Sequence, residues 1–590
     1  MIRQFSNCFR QSLRIVSLPL GFFLVAMAQG KAADYDLQQA IDEAKAAHQS
    51  VVEIPAGVHV LGAGGIRLDG VKGLVIEGNG ALLLATSRRA PAFAFYDCEE
   101  VTLRNLTIDY NPLPFTQGDV VGVDLDGRTV TVKLHTGYPG LKVVENANAS
   151  FSDARMQLFA GDTNRHKPGA PDYAVASVED RGDGSVIVHF QNWVGGLDKV
   201  EVGDSITLSS RGAEGICVRT SRDVDFENVT VYTAPNVAFL VRSSGNAGTY
   251  RNVRIVPGPR PEEATRDRLM SACADGLNVS FTGRGPIVDG CEFAYQGDDA
   301  VNLHGALLPV LRQIDARTYL SAMPWSGNLI DRITREGDDI RFLQKPDYAL
   351  VGAGSIWAIT RTQADLDTWL PQLREIWKVV TVNPASVTFY RVELEEPVAG
   401  VAPGMFFEVP ASAAPGFVIR DSYFHDNRAR GLRIMASNGL ILNNRFERQK
   451  GCAISLGAEF AFWHEAGWVR NVVVAGNTLH DIGTGAGILS PDSYTLGAIS
   501  LMARTEPGSA TYFEGNRYIV IENNRIDGCS VNAISISSSR DVAVRGNRIR
   551  NVNTADSLTA GSARGLASVQ PISIHHAEAT LSDNIIEEAE

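Results

Sequence analysis

The chain has 590 residues, a formal net charge of −13, and 44% hydrophobic and 21% charged residues. This composition excludes a disordered chain, and the acidic balance argues against nucleic acid or an anionic membrane as partner. It also disfavours a polyanionic substrate unless the fold assembles a local basic patch.

The first segment reads as a signal peptide. Arg3, Arg10 and Arg14 precede an apolar run from Ile15 to Val25, and Ala26-Met27-Ala28 supplies small residues for cleavage. The run is too short to span a bilayer. The expected mature protein is exported and begins near Gln29; three positive charges leave with residues 1–28, so −13 becomes −16. Of the cysteines, Cys8 departs and Cys98, Cys217, Cys273, Cys291, Cys452 and Cys529 remain. None forms a Cys-x-x-Cys pair, so no zinc site is expected. Several sit in apolar strand-like runs, where a free thiol behaves as a small buried hydrophobe.

Asp36 to Ala46 reads as a short amphipathic helix capping the open end of a solenoid, and coils begin at Ser50–Val60, Leu74–Gly78 and Val101–Ile108. Short strands, Asn and Gly turns and the lack of long helices predict an all-β chain, a right-handed parallel β-helix. After Asn111-Pro112 the rhythm changes to hairpins, such as Val120–Val123 and Arg128–Val132 across Asp126-Gly127. A second break contains Val379–Val382 and Ser386–Tyr390. Its ending, Gly404–Val409, resembles Gly203–Leu208 at the end of the first. Both are read as inserted antiparallel, barrel-like modules, two copies of one design. The expected division is a leader over 1–28, coils over 29–112, a module over 113–210, coils over 211–305, a module over 306–414 and coils over 415–590. In the last segment the pairs Asn443-Asn444 and Asn523-Asn524 suggest stacked asparagines at the corners.

Function concentrates in one stretch. Asp275-Gly276-Leu277-Asn278-Val279 and Asp299-Ala300-Val301-Asn302-Leu303 align residue for residue, 24 apart. On successive coils Asp275 and Asp299 would lie about 4.8 Å apart, with Asp298 beside them. Such crowding of carboxylates is costly unless they share work. Arg430-Gly431-Leu432-Arg433-Ile434 falls into the same alignment, and Glu214 begins another equivalent strand. One face therefore gathers Glu214, Asp275, Asp299, Asn302, Arg430 and Arg433, a set suited to binding sugar hydroxyls. Trp463 and Trp468 either stack on sugar or cover the solenoid edge. His304 and His425 flank the acids and could orient a carboxylate or a hydroxyl.

At ADG, GDDAVN and GLRI the chain resembles the polygalacturonase-like β-helix hydrolases, and within them glycoside hydrolase family 110, the α-1,3-galactosidases. The resemblance extends over most of the mature chain, including the stretch Asp109-Tyr110-Asn111-Pro112-Leu113-Pro114-Phe115 and both modules. Polygalacturonases carry Arg-Ile-Lys where this chain has Arg433-Ile434-Met435, and Met cannot hold a uronate, so a neutral sugar is expected. The resemblance implies an exo-acting, inverting hydrolase releasing terminal α-1,3-linked galactose, as in blood-group B or linear α-galactosyl glycans. It assigns Asp298 as general acid, with Asp275 and Asp299 activating the water. No metal or other cofactor is expected, because the sequence shows no His/Cys cluster and the acids are assigned to proton transfer. Other readings are a polygalacturonase-like or lyase-like pectin enzyme, the lyase needing Ca²⁺, and a glycan-binding adhesin.

Overall fold

The computed structural model describes residues 35–587 apart from 146–153, 162, 326, 379–381, 461–462, 485–495, 506–509 and 555–567. The leader over 1–28 and Val379 to Thr381 lie outside the described residues.

The helix Leu37–Ala46 starts where the Asp36 side chain accepts the Gln39 N–H at 3.0 Å. It buries Leu37, Ile41 and Ala44, one apolar face, against the first coil. Beyond it the chain winds into a parallel β-helix. One long sheet contains 21 strands, and a second runs parallel from Ile66–Asp69 through Phe93–Tyr96, Ile216–Arg219, Phe239–Ser244, Leu277–Thr282, Val301–Ala306 and Leu432–Ile434 to Ile572–Ile574. Alternation along each strand sends one residue in two to the interior. There Phe293, Phe424 and Phe446 stack coil upon coil at 5.1 and 5.0 Å.

The corners are set by asparagine. Asn443 and Asn523 take the left-handed conformation at φ 55°, which Asn tolerates better than most residues. The residue after each turns inward and joins a ladder. Asn444, Asn477, Asn524, Asn547 and Asn584 pass amide to carbonyl at 2.9–3.0 Å. Each ladder oxygen also accepts a backbone N–H from the neighbouring coil.

Two antiparallel barrels interrupt the coils. In the first, strands from Phe115–Asp124 to Ser205–Ser209 pair around a closed ring, with Ser205–Ser209 joining Phe115–Asp124 on one side and Arg155–Ala160 on the other. In the second, the run from Leu308 to Asp315 pairs at its start with Phe406–Glu408 and at its end with Thr318–Met323. The remaining strands follow the same order around the ring as in the first. The second barrel adds a helix, Leu366–Ile376, that the hairpin rhythm did not predict. Leu366, Trp369, Leu370, Leu373 and Trp377 pack together at helical spacing.

The described cysteines are all buried, and Cys98, Cys217, Cys273, Cys291 and Cys529 are free thiols; no described helix is long and apolar enough to cross a membrane. Replacing Asn477 with Ala strands the buried Asn444 N–H and the Ile441 carbonyl, both now bonded by its side chain. The expected loss is at least about 2 kcal/mol, read as a lower thermal midpoint; an unchanged midpoint would show that the ladder is not a stabilising element.

Candidate functional site

Register builds the site. Ile216, Phe239, Leu277, Val301 and Leu432 are paired coil to coil. The residue after each points outward, giving a row Cys217, Leu240, Asn278, Asn302 and Arg433, which Ser455 continues on the next coil. Two residues before the paired set stand Glu214, Val237, Asp275, Asp299 and Arg430. Apart from Cys217 and Ser455, both rows line a cleft of about 980 Å³. The first barrel enters just before the strand Ile216–Arg219 and the second leaves just after Val301–Ala306, at opposite ends of the site strands. The first contributes Asp172 to the cleft wall and the second Trp325, Gly327, Asn328 and Ser386. A loop after Ile454–Leu456 adds Glu459, Trp463, His464 and Glu465.

The three aspartates come together, with an oxygen from each within 4.8 Å of the others. Asp299 is 1% exposed and is clamped by Arg430, whose Nε and Nη2 each donate at 2.7 Å and whose N–H adds a bond at 3.0 Å. Asp298 is the more accessible; it accepts from Arg211 Nη2 at 2.7 Å and Arg428 Nη2 at 2.8 Å. Arg428 is held in turn by Asp172 of the first barrel, which Lys450 also bonds, at 3.1 Å. Asp275 is 7% exposed and accepts from the Asn278 amide at 2.6 Å and the Asp299 N–H at 3.2 Å, with no cation bonded to it among the described residues.

That asymmetry separates the carboxyls electrically. Burial, then the charges of Asp298 and Asp299, raise the Asp275 carboxyl well above the usual range. Burial also pushes Asp298 up, but Arg428, Arg211 and Arg430 outweigh it and hold the group below that range. Two like charges 4 Å apart repel by about 4 kcal/mol at an effective dielectric of 20, so Asp275 holds a proton more tightly than Asp298, which the guanidiniums keep low. The guanidiniums already occupy oxygens of Asp298 and Asp299, which leaves a cation poorly served.

Among the other sequence-derived residues, Glu214, Asn302, His304, Arg430, Arg433 and Trp463 all line the cleft. The side-chain Oδ1 atoms of Asn278 and Asn302 are buried without a hydrogen-bond partner among the described residues. Arg433 is anchored by Ser455 Oγ at 3.0 Å and the Gly457 carbonyl at 2.7 Å. His304 Nδ1 bonds its neighbour's carbonyl at 2.7 Å; burial, with Arg242, pushes its pKa down to about 3. Glu465, 3.7 Å from Nε2, is raised by burial, so the two face each other without forming an ion pair. Trp463 is 42% exposed.

Two residues lie elsewhere. His425 belongs to the long sheet, in register with Ala294, and binds Asp426 at 2.7 Å and Glu292 at 3.3 Å; a left-handed turn at Asp426 separates it from the cleft. Trp468 is buried against Phe460 and Phe513 and covers the solenoid edge. Met435 is also fully buried. Asn278, Arg211, Arg219, Arg242 and Arg428 were missed. Asn278 was readable, since it aligns with Asn302, and Arg428 stands two residues before Arg430; Arg211 carried no periodic signal.

Fold and cleft together define a parallel β-helix with acids and guanidiniums set on one face, between two barrels. No family model matches the chain. Over 471 residues it is 24% identical to alpha-1,3-galactosidase B of Akkermansia muciniphila, covering 78% of this chain and 54% of that protein. It is 24% identical over 434 residues to alpha-1,3-galactosidase B of Bacteroides thetaiotaomicron, covering 70% and 64%. With alpha-1,3-galactosidase A of Bacteroides fragilis it shares 22% over 492 residues, covering 80% and 73%. The chain thus spans between about half and two-thirds of the length of the first two relatives. The likeness to α-1,3-galactosidases read from the motifs therefore extends over most of the sequence. A solved GH87 alpha-1,3-glucanase catalytic unit from Streptomyces thermodiastaticus is more distant, at 13% identity and TM-score 0.38 over 88% of this chain and 57% of that one. The fold assignment rests on the strand pairing itself.

The raised Asp275 pKa has a sign that stability can read. Its proton is bound more tightly folded than unfolded, so folding gains from it below the unfolded value near 4 and loses that gain as pH rises through the folded value. Asp275→Asn removes this titration. The melting temperature of the variant relative to wild type is expected to climb between pH 4 and pH 8; a pH-independent difference would show that Asp275 is not raised.

Proposed function

We propose that the chain is an exo-acting α-1,3-galactosidase releasing terminal α-1,3-linked galactose from blood-group B type or linear α-galactosyl glycans, and that it works after export. The observation that carries this reading is the cluster of Asp275, Asp298 and Asp299 in a sugar-sized cleft, in a chain whose relatives are named alpha-1,3-galactosidases. Arg430, Arg433 and Asn302, with Trp463 as an apolar platform, offer donors and a stacking face to galactose.

Asp298, the most accessible of the three, protonates the glycosidic oxygen. The shared proton resides on Asp275, and handing it to Asp298 leaves Asp275 ionised beside Asp299, where the pair takes a proton from the attacking water. Direct attack by water inverts the anomeric centre. The acids lie within 4.8 Å of one another, tighter than the roughly 6.5–9.5 Å usual when a water sits between acid and base. The water would therefore lie beside the cluster rather than within it. The same spacing favours a second reading, double displacement through a carboxylate nucleophile, with retention.

The decisive assay is hydrolysis of galactose-α-1,3-galactose, with and without a fucose branch, followed by NMR. The β-anomer should appear first; the α-anomer would establish the double displacement instead. Changing Asp275, Asp298 or Asp299 singly to Asn should lower kcat by at least about 10²-fold, and near-normal turnover by Asp298→Asn would remove it as the acid. Activity should survive EDTA. Loss in EDTA restored by Ca²⁺ would move the chain to the lyase-like class.

A further inference from the structure

The cleft continues beyond the acids. Arg219 and Arg242 stand in register on neighbouring coils, with Cα atoms about 4.8 Å apart. Ser280 and His304 extend the same row. Arg219 donates to the Cys217 sulfur at 3.2 Å and Arg242 to the Ser280 hydroxyl, and neither reaches a carboxylate within salt-bridge distance among the described residues. In contrast, Arg211, Arg428 and Arg430 each clamp an acid. Burial, with the charge of Arg219, pushes Arg242 down to about 10. The two guanidiniums stand side by side with no carboxylate in salt-bridge contact among the described residues, and Glu214 and Glu465 act on them only through longer-range charge, so an anion in contact would supply the short-range pairing they lack.

The second barrel roofs this pair. Gly327 lies so close that a Cβ there would meet Arg219 Nη1 at 2.1 Å. Its loop is pinned by Ser243, whose hydroxyl donates to the Gly327 carbonyl at 3.0 Å and accepts the Leu329 N–H at 2.7 Å. Ser280, in the same row, follows Asp275 by five residues, roughly 16 Å along an extended strand. A galactose held at the acids would leave this end of the cleft to the next sugar.

We propose that Arg219 and Arg242 form a subsite for an anionic group, a sulfate ester or a uronate carboxylate, on the sugar to which the terminal galactose is linked. The proposal rests on the galactosidase reading and names the class of glycan within it. A planar guanidinium pairs bidentately with either anion. The galactose itself remains neutral, in keeping with the buried Met435.

The test uses galactose-α-1,3-galactose, the same disaccharide sulfated at O6 of the reducing sugar, and galactose-α-1,3-galacturonate. Wild type, Arg219→Gln/Arg242→Gln and Arg219→Lys/Arg242→Lys are compared, the lysine pair preserving charge should the glutamine pair fail to fold. Wild type should cleave at least one anionic substrate with kcat/KM about tenfold above the neutral one, and the substrate that responds identifies the anion. The advantage should shrink with added salt, fall to near unity in the glutamine pair and persist in part in the lysine pair. Equal efficiency of wild type on all three overturns the proposal. Should none be cleaved, the galactosidase reading fails, and calorimetry with inorganic sulfate decides the subsite alone. Binding by wild type that the glutamine pair loses supports the subsite, and no binding overturns it.

Discussion

Everything at the site depends on the backbone ladder between adjacent coils. It locks Leu277 over Val301 and Val301 over Leu432, and so stacks Asp275, Asp299 and Arg430 in one column. A slip of one residue would turn every interior side chain outward, so the column cannot relax by shifting register. The repulsion between the acids, about 4 kcal/mol per close pair, is therefore met in place. Arg430 clamps Asp299, Arg211 and Arg428 share Asp298, and Asp275 binds a proton more tightly than a free carboxyl does. The same constraint that makes the stack rigid shifts the proton affinities of neighbouring carboxyls in opposite directions, which is what acid–base chemistry requires.

The barrels turn an open solenoid face into a cleft. They share one strand order and are inserted at opposite ends of the site strands, so they stand as facing walls. Lengthening a loop costs little closure entropy, and each barrel brings its own apolar core. The first is tied to the chemistry through Asp172, which holds Arg428 against Asp298. The second reaches the other end through Trp325 and the loop over Arg219. A solenoid supplies precise spacing but little depth; the insertions supply the depth.

Acidic overall, the chain nonetheless concentrates arginines along the cleft. Net charge was a poor guide to this interior, because local field depends on which side chains share a low-dielectric space.

The sequence alone determined the parallel β-helix, the 24-residue stacking of Asp275 on Asp299 and the alignment of Arg430 and Arg433 with them, because the period of a solenoid is written in its repeats. It also signalled the breaks where hairpin rhythm replaces coil rhythm. Only the tertiary structure decided which sheet a residue joins and which charges meet across insertions. His425 lies a few residues before Arg430, yet the turn at Asp426 sends it to the long sheet. Trp468 lies near Trp463, yet packs into the edge core. Arg211 and Arg428 reach Asp298 from segments 87 and 130 residues away. The raised carboxyl of Asp275 follows from burial and from the charges of Asp298 and Asp299 brought beside it by the coil register, since a carboxyl's affinity for a proton is set by its surroundings in space.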